Sequence, residues 1–129
     1  MITEVQRKKI KSLINNHRHY DRKRFGTSDN TITYEGWLEL YIEQQGRCWW
    51  TGIPMTIGEG LPSDASLDRL HCDLPHTLDN TVLVHRAVNL GRNDSSLKDW
   101  ALYLHSCGLL AAEHVRDLQA IDLLIDNWE

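Results

Sequence analysis

Residues 66–89, SLDRLHCDLPHTLDNTVLVHRAVN, change their hydrophobic period within one short stretch. That change constrains the fold more than any other feature of the chain. SLDRLH alternates apolar and polar positions and carries an acid, CDLPHTLDN holds Pro, Thr and Asp-Asn turn signals, and TVLV is a short apolar run. From Val82 on, the apolar residues Val84, Ala87 and Val88 pass into a helical period, and Gly91 suits a helix C-terminus. The predicted unit is strand, loop, short strand, helix. A helix folded back across such a hairpin brings Asp68 and Asn89 to one place. Two oxygen ligands from separate elements, completed by water and phosphate, suit Mg²⁺.

The rest of the chain reads as mainly helical. Val5, Ile10, Leu13 and Ile14 predict a helix over residues 3–19, and Gly26-Thr27-Ser28-Asp29-Asn30 breaks it. Thr33-Tyr34-Glu35-Gly36 opens a second helix with Trp37, Leu38, Leu40, Tyr41 and Ile42 on its apolar face, ending near Gly46. Ile57-Gly58-Glu59-Gly60, with Pro62 and Ser63, is a surface connector. Asp94-Ser95-Ser96 starts a further helix that runs to Cys107-Gly108, and a last one covers residues 111–127. The expectation is an α+β domain of 129 residues: a basic helical segment (1–30), a strand-strand-helix core with its lead-in helix (34–94) and C-terminal helices (95–129). Trp37, Trp100, Trp128 and at least one of Trp49 and Trp50 are expected to fill the core.

The formal net charge is −4, yet eight of the 14 Lys and Arg fall between Arg7 and Arg24, interrupted only by Asp21. Arg7, Lys8, Lys9, Lys11, Arg18, Arg22, Lys23 and Arg24, with His17, His19 and Tyr20 among them, make a run long enough to follow a phosphate backbone. From Asp94 onward seven acids face two bases, Lys98 and Arg116, so this end is expected to point away from nucleic acid. Its apolar residues Leu118, Ile121, Leu123, Leu124 and Ile125 suit either a homodimer contact or packing on the N-terminal helix.

The central stretch resembles the HNH, or ββα-metal, endonucleases in their phage-type, recombination endonuclease VII-like branch. Asp68 matches the ligand Asp, Asn80 the central Asn and Asn89 the helix ligand. Gly46-Arg47-Cys48 followed by Thr51-Gly52-Ile53-Pro54-Met55 is similar to a segment that precedes SLDRID in such members, so the resemblance runs over residues 34–94. It implies a ββα-metal motif flanked by helices, with Mg²⁺ or Mn²⁺ held by Asp68 and Asn89 and with Asn80 ordering the loop. One departure matters. The family's catalytic His position is Arg69 here, and a guanidinium that stays protonated is a poor base. His71, on the same side of a strand as residue 69, is the first candidate base, and His85, four residues before Asn89, is the reserve. Arg69 suits a phosphate clamp.

Cys48, Cys72 and Cys107 form no CxxC pair, so a four-thiolate zinc site is excluded and a structural zinc is not expected. An odd cysteine count with no signal-peptide pattern points to reduced thiols in a cytoplasmic protein, in a phage or bacterial context. No run of about 18 apolar residues suits a membrane span. The functional expectation is a metal-dependent endonuclease that hydrolyses phosphodiesters in DNA, by nicking, double-strand or junction cleavage, with RNA as the other polymer left open. The alternative is a nucleic-acid-binding module that keeps the fold without catalysis. If the basic run contacts phosphates, replacing Arg22, Lys23 and Arg24 with Ala weakens DNA binding and flattens the slope of log affinity against log salt. Titrations between 50 and 200 mM salt check this, and an unchanged slope would identify the run as an ordinary solvated face.

Overall fold

A computed structural model of the chain describes residues 1–120. Five helices and one hairpin follow in the order α1 (Glu4–Phe25), α2 (Tyr34–Glu43), β1 (Ala65–Arg69), β2 (Thr81–His85), α3 (Arg86–Arg92), α4 (Leu97–Ser106) and α5 (Ala112–Ala120). The fold is α+β, with an antiparallel two-stranded hairpin followed directly by a helix.

Local chemistry sets the helix ends. Thr3 and Gln6 form a reciprocal capping box at the start of α1, and Thr33 and Ser96 accept from backbone N–H groups at the starts of α2 and α4. Helix α1 runs six residues beyond the expected end at His19. It stops only where Gly26 takes a left-handed φ of 81° and its N–H reaches the Arg22 carbonyl. The extra turns are polar, which hides them from a reading of apolar period, but Asp21 within them is fully buried. At the other end of α1, Val5 is exposed, and Ile10 and Ile14 form the buried stripe. Glycine at position 36 has a packing reason: a Cβ there would lie 2.9 Å from Ile32 Cγ1.

The hairpin pairs Ala65 with His85 and Arg69 with Thr81. All five residues of β2 are buried, so both of its faces are covered, as its unbroken apolar run requires. An isolated hairpin is marginal in water, and this one is held from several sides. The Gln44 amide donates to the Leu83 carbonyl at 2.8 Å and accepts from the Leu83 N–H at 3.0 Å, in the manner of a further strand. The Trp49 N–H also donates to the Leu83 carbonyl. A continuous core joins Ile10 and Ile14 of α1, Trp37 and Leu40 of α2, Trp50, Leu67, Leu83 and Val84, and Trp100 and Leu104 of α4. Helix α5 is tied on by the Ala111 N–H to the Trp50 carbonyl and by His114 Nε2 to the Trp49 carbonyl.

The last expected helix starts at Ala112, and Ala120 ends the described part. Ile121, Leu123, Leu124, Ile125 and Trp128, with the side chain of Leu118, lie outside the described residues. Helix α3 ends at Arg92, next to the expected Gly91, where Asn93 takes a φ of 50° and its N–H donates to the Asn89 carbonyl. Arg92 is 1% exposed. It donates to Asp68 Oδ1 at 2.8 Å and to the carbonyls of Arg69, Leu70 and Ser95.

Removing one member of a buried ion pair strands the other and is strongly destabilising, whereas replacing both by apolar groups of similar volume is often tolerated. Arg92→Ala is therefore expected to lower the unfolding free energy by about 3–5 kcal/mol. The double variant Asp68→Leu/Arg92→Met should lose less than the single one. Urea midpoints measure both, and an Arg92→Ala protein as stable as the parent would refute the pair's structural role.

Candidate functional site

The site begins at the end of β1. Asp68 pairs with Val82 in the hairpin and turns its side chain inward, where it is 3% exposed. Trp50 Nε1 donates to its Oδ2 at 2.9 Å and Arg92 Nη1 to its Oδ1 at 2.8 Å. Burial pushes the Asp68 carboxyl above its ordinary value, while the charge of Arg92 and the hydrogen bonds from Trp50 and Arg92 act against that rise. One turn before the end of α3, Asn89 Nδ2 donates to Ser66 Oγ at 2.8 Å and to the Leu67 carbonyl at 3.0 Å. Its carbonyl oxygen accepts no hydrogen bond among the described residues.

Asp68 and Asn89 line one cavity of about 470 Å³. Arg69 and Cys72 line it beside them. Helix α1 closes the far side with Asn16, His17 and Tyr20, and His76 from the loop between the strands lines it too. The structure thus brings together Asp68, Asn89 and Arg69 of the residues expected from sequence. The Arg69 guanidinium donates to the carbonyls of Cys72 and Leu74 and to the Tyr20 hydroxyl, and it lies 5.0 Å from the Tyr20 ring centre.

The two expected bases stand elsewhere. Strand β1 ends at Arg69, and the chain turns at once, with the Leu74 N–H closing on the His71 carbonyl. The period-two argument for His71 therefore lapses two residues too early. His71 lines neighbouring hollows and not the cavity of Asp68 and Asn89. Asn80 fixes it there. The Asn80 amide accepts from the His71 N–H at 3.0 Å and donates to the carbonyls of His71 and Pro75. His85 is the last residue of β2 and lies outside α3, so the four-residue helical spacing to Asn89 does not apply. It is buried, and its Nε2 donates to the Pro54 carbonyl at 3.0 Å.

Sequence reasoning missed Asp21, His76 and His17. Asp21, the lone acid in the basic run, accepts from Thr31 Oγ1 at 2.7 Å, from the His76 N–H at 3.0 Å and from His76 Nδ1 at 2.7 Å. That lone acid was the available signal. Its burial works to raise the carboxyl, but the bonds from His76 and Thr31 outweigh this and hold it below its ordinary value. The His17 ring stands 4.3 Å from that of His76. Burial, then the neighbouring His76, lower His17 from 6.5 to about 4, with Asp21 opposing.

The basic residues of α1 lie mainly on its exposed faces. Arg7, Lys8, Lys9, Lys11, Arg22, Lys23 and Arg24 are exposed, and Arg18 is half-buried. Arg7 pairs with Glu4, Lys9 donates to the Gly58 carbonyl, and Arg24 donates to the Tyr20 hydroxyl at the rim of the cavity.

Asp68 and Asn89 are the residues on this cavity that could hold a hard divalent cation: each brings an oxygen from a separate element, and the carboxylate keeps lone pairs beyond its bonds to Trp50 and Arg92. Arg92 is the competing cation. Among the described residues no cluster of three His, Cys, Asp or Glu side chains adds further ligands. Compared with protein-family models, with curated proteins and with solved structures, the chain matches none.

His17 makes stability depend on pH. The unfolded chain takes up its proton near 6.5 and the folded chain only near 4, so the stabilisation is complete above 6.5 and is lost as pH falls through that window. At ~1.36 kcal/mol per pKa unit the loss between pH 7 and pH 4.5 is about 2 kcal/mol. The His76 shift has the same sign. Urea midpoints across this range should fall in the parent and fall less in His17→Gln; a flat parent profile would contradict the burial of His17.

Proposed function

We propose that the chain is a metal-dependent endonuclease of the HNH type that hydrolyses phosphodiester bonds in DNA. The observation that carries this reading is the meeting of Asp68 from β1 and Asn89 from α3 on one cavity, with Arg69 beside them. The hairpin-and-helix arrangement is compatible with a ββα-metal motif, and α1 presents an exposed basic surface next to the cavity. The residues themselves support the resemblance to that family.

Asp68 and Asn89 would hold the Mg²⁺ or Mn²⁺. Bound there, the ion would polarise a phosphoryl oxygen and stabilise charge on the leaving oxygen. The chain's own residues do the rest. Arg69, fixed by the carbonyls of Cys72 and Leu74, places a permanent positive charge on the cavity wall and attracts a phosphate oxygen. Asn80 holds the turn that follows β1 and so keeps Arg69 in place. The exposed Lys and Arg of α1 give affinity for the backbone with little sequence preference.

A second reading, a nucleic-acid-binding module without catalysis, is favoured by one observation. The Asp68 carboxylate already has a cation, Arg92, at 2.8 Å. Incubation of the full chain with supercoiled plasmid and a four-way junction, in Mg²⁺, Mn²⁺ or EDTA, separates the two. Cleavage that EDTA abolishes supports the nuclease, binding without cleavage selects the second reading, and neither binding nor cleavage overturns both. For the nuclease, Asn89→Ala should lower the cleavage rate at least 100-fold, a magnitude typical of losing transition-state electrostatics, while DNA affinity stays within a few-fold. Asp68→Asn should lower cleavage alike while also costing stability, because it leaves Arg92 without its carboxylate, and the folded double variant should cleave no worse than either, because one emptied site cannot be emptied twice.

A further inference from the structure

We propose that His76, oriented by Asp21, is the general base of the cavity and takes the proton of the water that attacks the phosphodiester. The inference rests on the endonuclease reading and assigns the one role left vacant when His71 and His85 turned out to lie off the cavity.

The geometry is specific. Asp21 grips His76 at two points, the backbone N–H on Oδ2 at 3.0 Å and the ring Nδ1 on Oδ1 at 2.7 Å. A carboxylate only accepts, so Nδ1 carries the proton and Nε2 keeps its lone pair. Nε2 has no hydrogen-bond partner among the described residues, and His76 lines the same cavity as Asp68 and Asn89. A base held by an orienting carboxylate, with its second nitrogen unbonded and its ring on the wall of a reaction cavity, suits general-base catalysis.

The surroundings keep the ring in its accepting form. The groups facing it are His17, Tyr20 and Asp21 from α1 and, through their charges, Asp68 and Arg69 from β1. Burial lowers the His76 pKa below 6.5, Arg69 adds to that, and Asp21 and Asp68 oppose it. The imidazole is therefore neutral at pH 7. His17, at about 4, is too weak a base to compete and has no orienting carboxylate.

In the step itself, Nε2 takes a proton from water as the water oxygen bonds to phosphorus. The opposite P–O ester bond breaks, and its electron pair leaves on the ester oxygen, which is protonated by solvent. The imidazolium, stabilised by Asp21, returns its proton to solvent. Hydrolysis is balanced with no other reactant.

The test uses the full chain with plasmid DNA and Mn²⁺. His76→Ala should cut the rate by roughly 10²- to 10⁴-fold and remove the acidic limb of the pH-rate profile, while DNA affinity is unchanged. Added imidazole should restore activity through the space vacated, which a purely structural staple would not allow. His71→Ala should stay within a few-fold of the parent. Full activity in His76→Ala, or a loss that imidazole does not rescue, overturns the assignment. Should His76→Ala fail to fold, nitrogen-15 NMR of the unmodified protein still decides. An Nδ1-protonated His76 that titrates below 6.5 supports the base, and an Nε2-protonated ring overturns it. A parent protein that cuts no DNA overturns the endonuclease reading, whereas an active parent insensitive to His76 overturns this assignment alone.

Discussion

The buried pair of Arg92 and Asp68 is the constraint on which the rest of the structure hangs. A guanidinium at 1% exposure must satisfy its donors inside the protein, and Arg92 does so with one carboxylate and three backbone carbonyls. Those partners lie at the end of β1 and just after α3. The pair therefore locks the helix to the strand at the point where the chain leaves the hairpin. Trp50 takes the other carboxylate oxygen and ties the same acid to the Trp49-Trp50 turn. With the end of α3 held in this way, Asn89 can reach Ser66 and Leu67, and the cavity acquires a wall with two oxygen donors.

Helix α1 answers a different demand. Ile10 and Ile14 bind it to the core, and farther along Asp21 enters the interior in place of an apolar residue. Burying a carboxylate is costly unless it is fully hydrogen-bonded, and Thr31 Oγ1 together with the backbone N–H and ring Nδ1 of His76 meets that need. The consequence reaches the site. The Asp21 anchor draws the inter-strand loop to the helix, and His17 and Tyr20, one turn away or less, cover the cavity. The same helix carries most of the exposed positive charge, so a chain of net charge −4 concentrates its cations on one element.

Much of the fold was readable because its signals are local. The alternation of SLDR, the apolar TVLV and the Asp-Asn turn mark the hairpin, and Thr33 and Ser96 mark helix starts through hydrogen bonds only three residues long. Trp37, Trp50 and Trp100 are core residues because large apolar area drives burial wherever they stand. The polar end of α1 was not readable, since the residue that anchors it is an acid whose partners lie 10 and 55 positions away.

The sequence by itself determined the order strand, loop, strand, helix, with Asp68 on the first strand and Asn89 on the helix, and hence that the two could share a site, because side-chain period and turn chemistry act over a few residues. Only the tertiary structure decided what surrounds them. It ended β1 two residues before His71, spent His85 on the Pro54 carbonyl, set Arg92 against Asp68 and carried His76 onto the cavity with Asp21. Each of those outcomes is the pairing of a buried polar group with a partner remote in sequence, and such pairings are selected by desolvation inside the folded chain, where no local pattern records them.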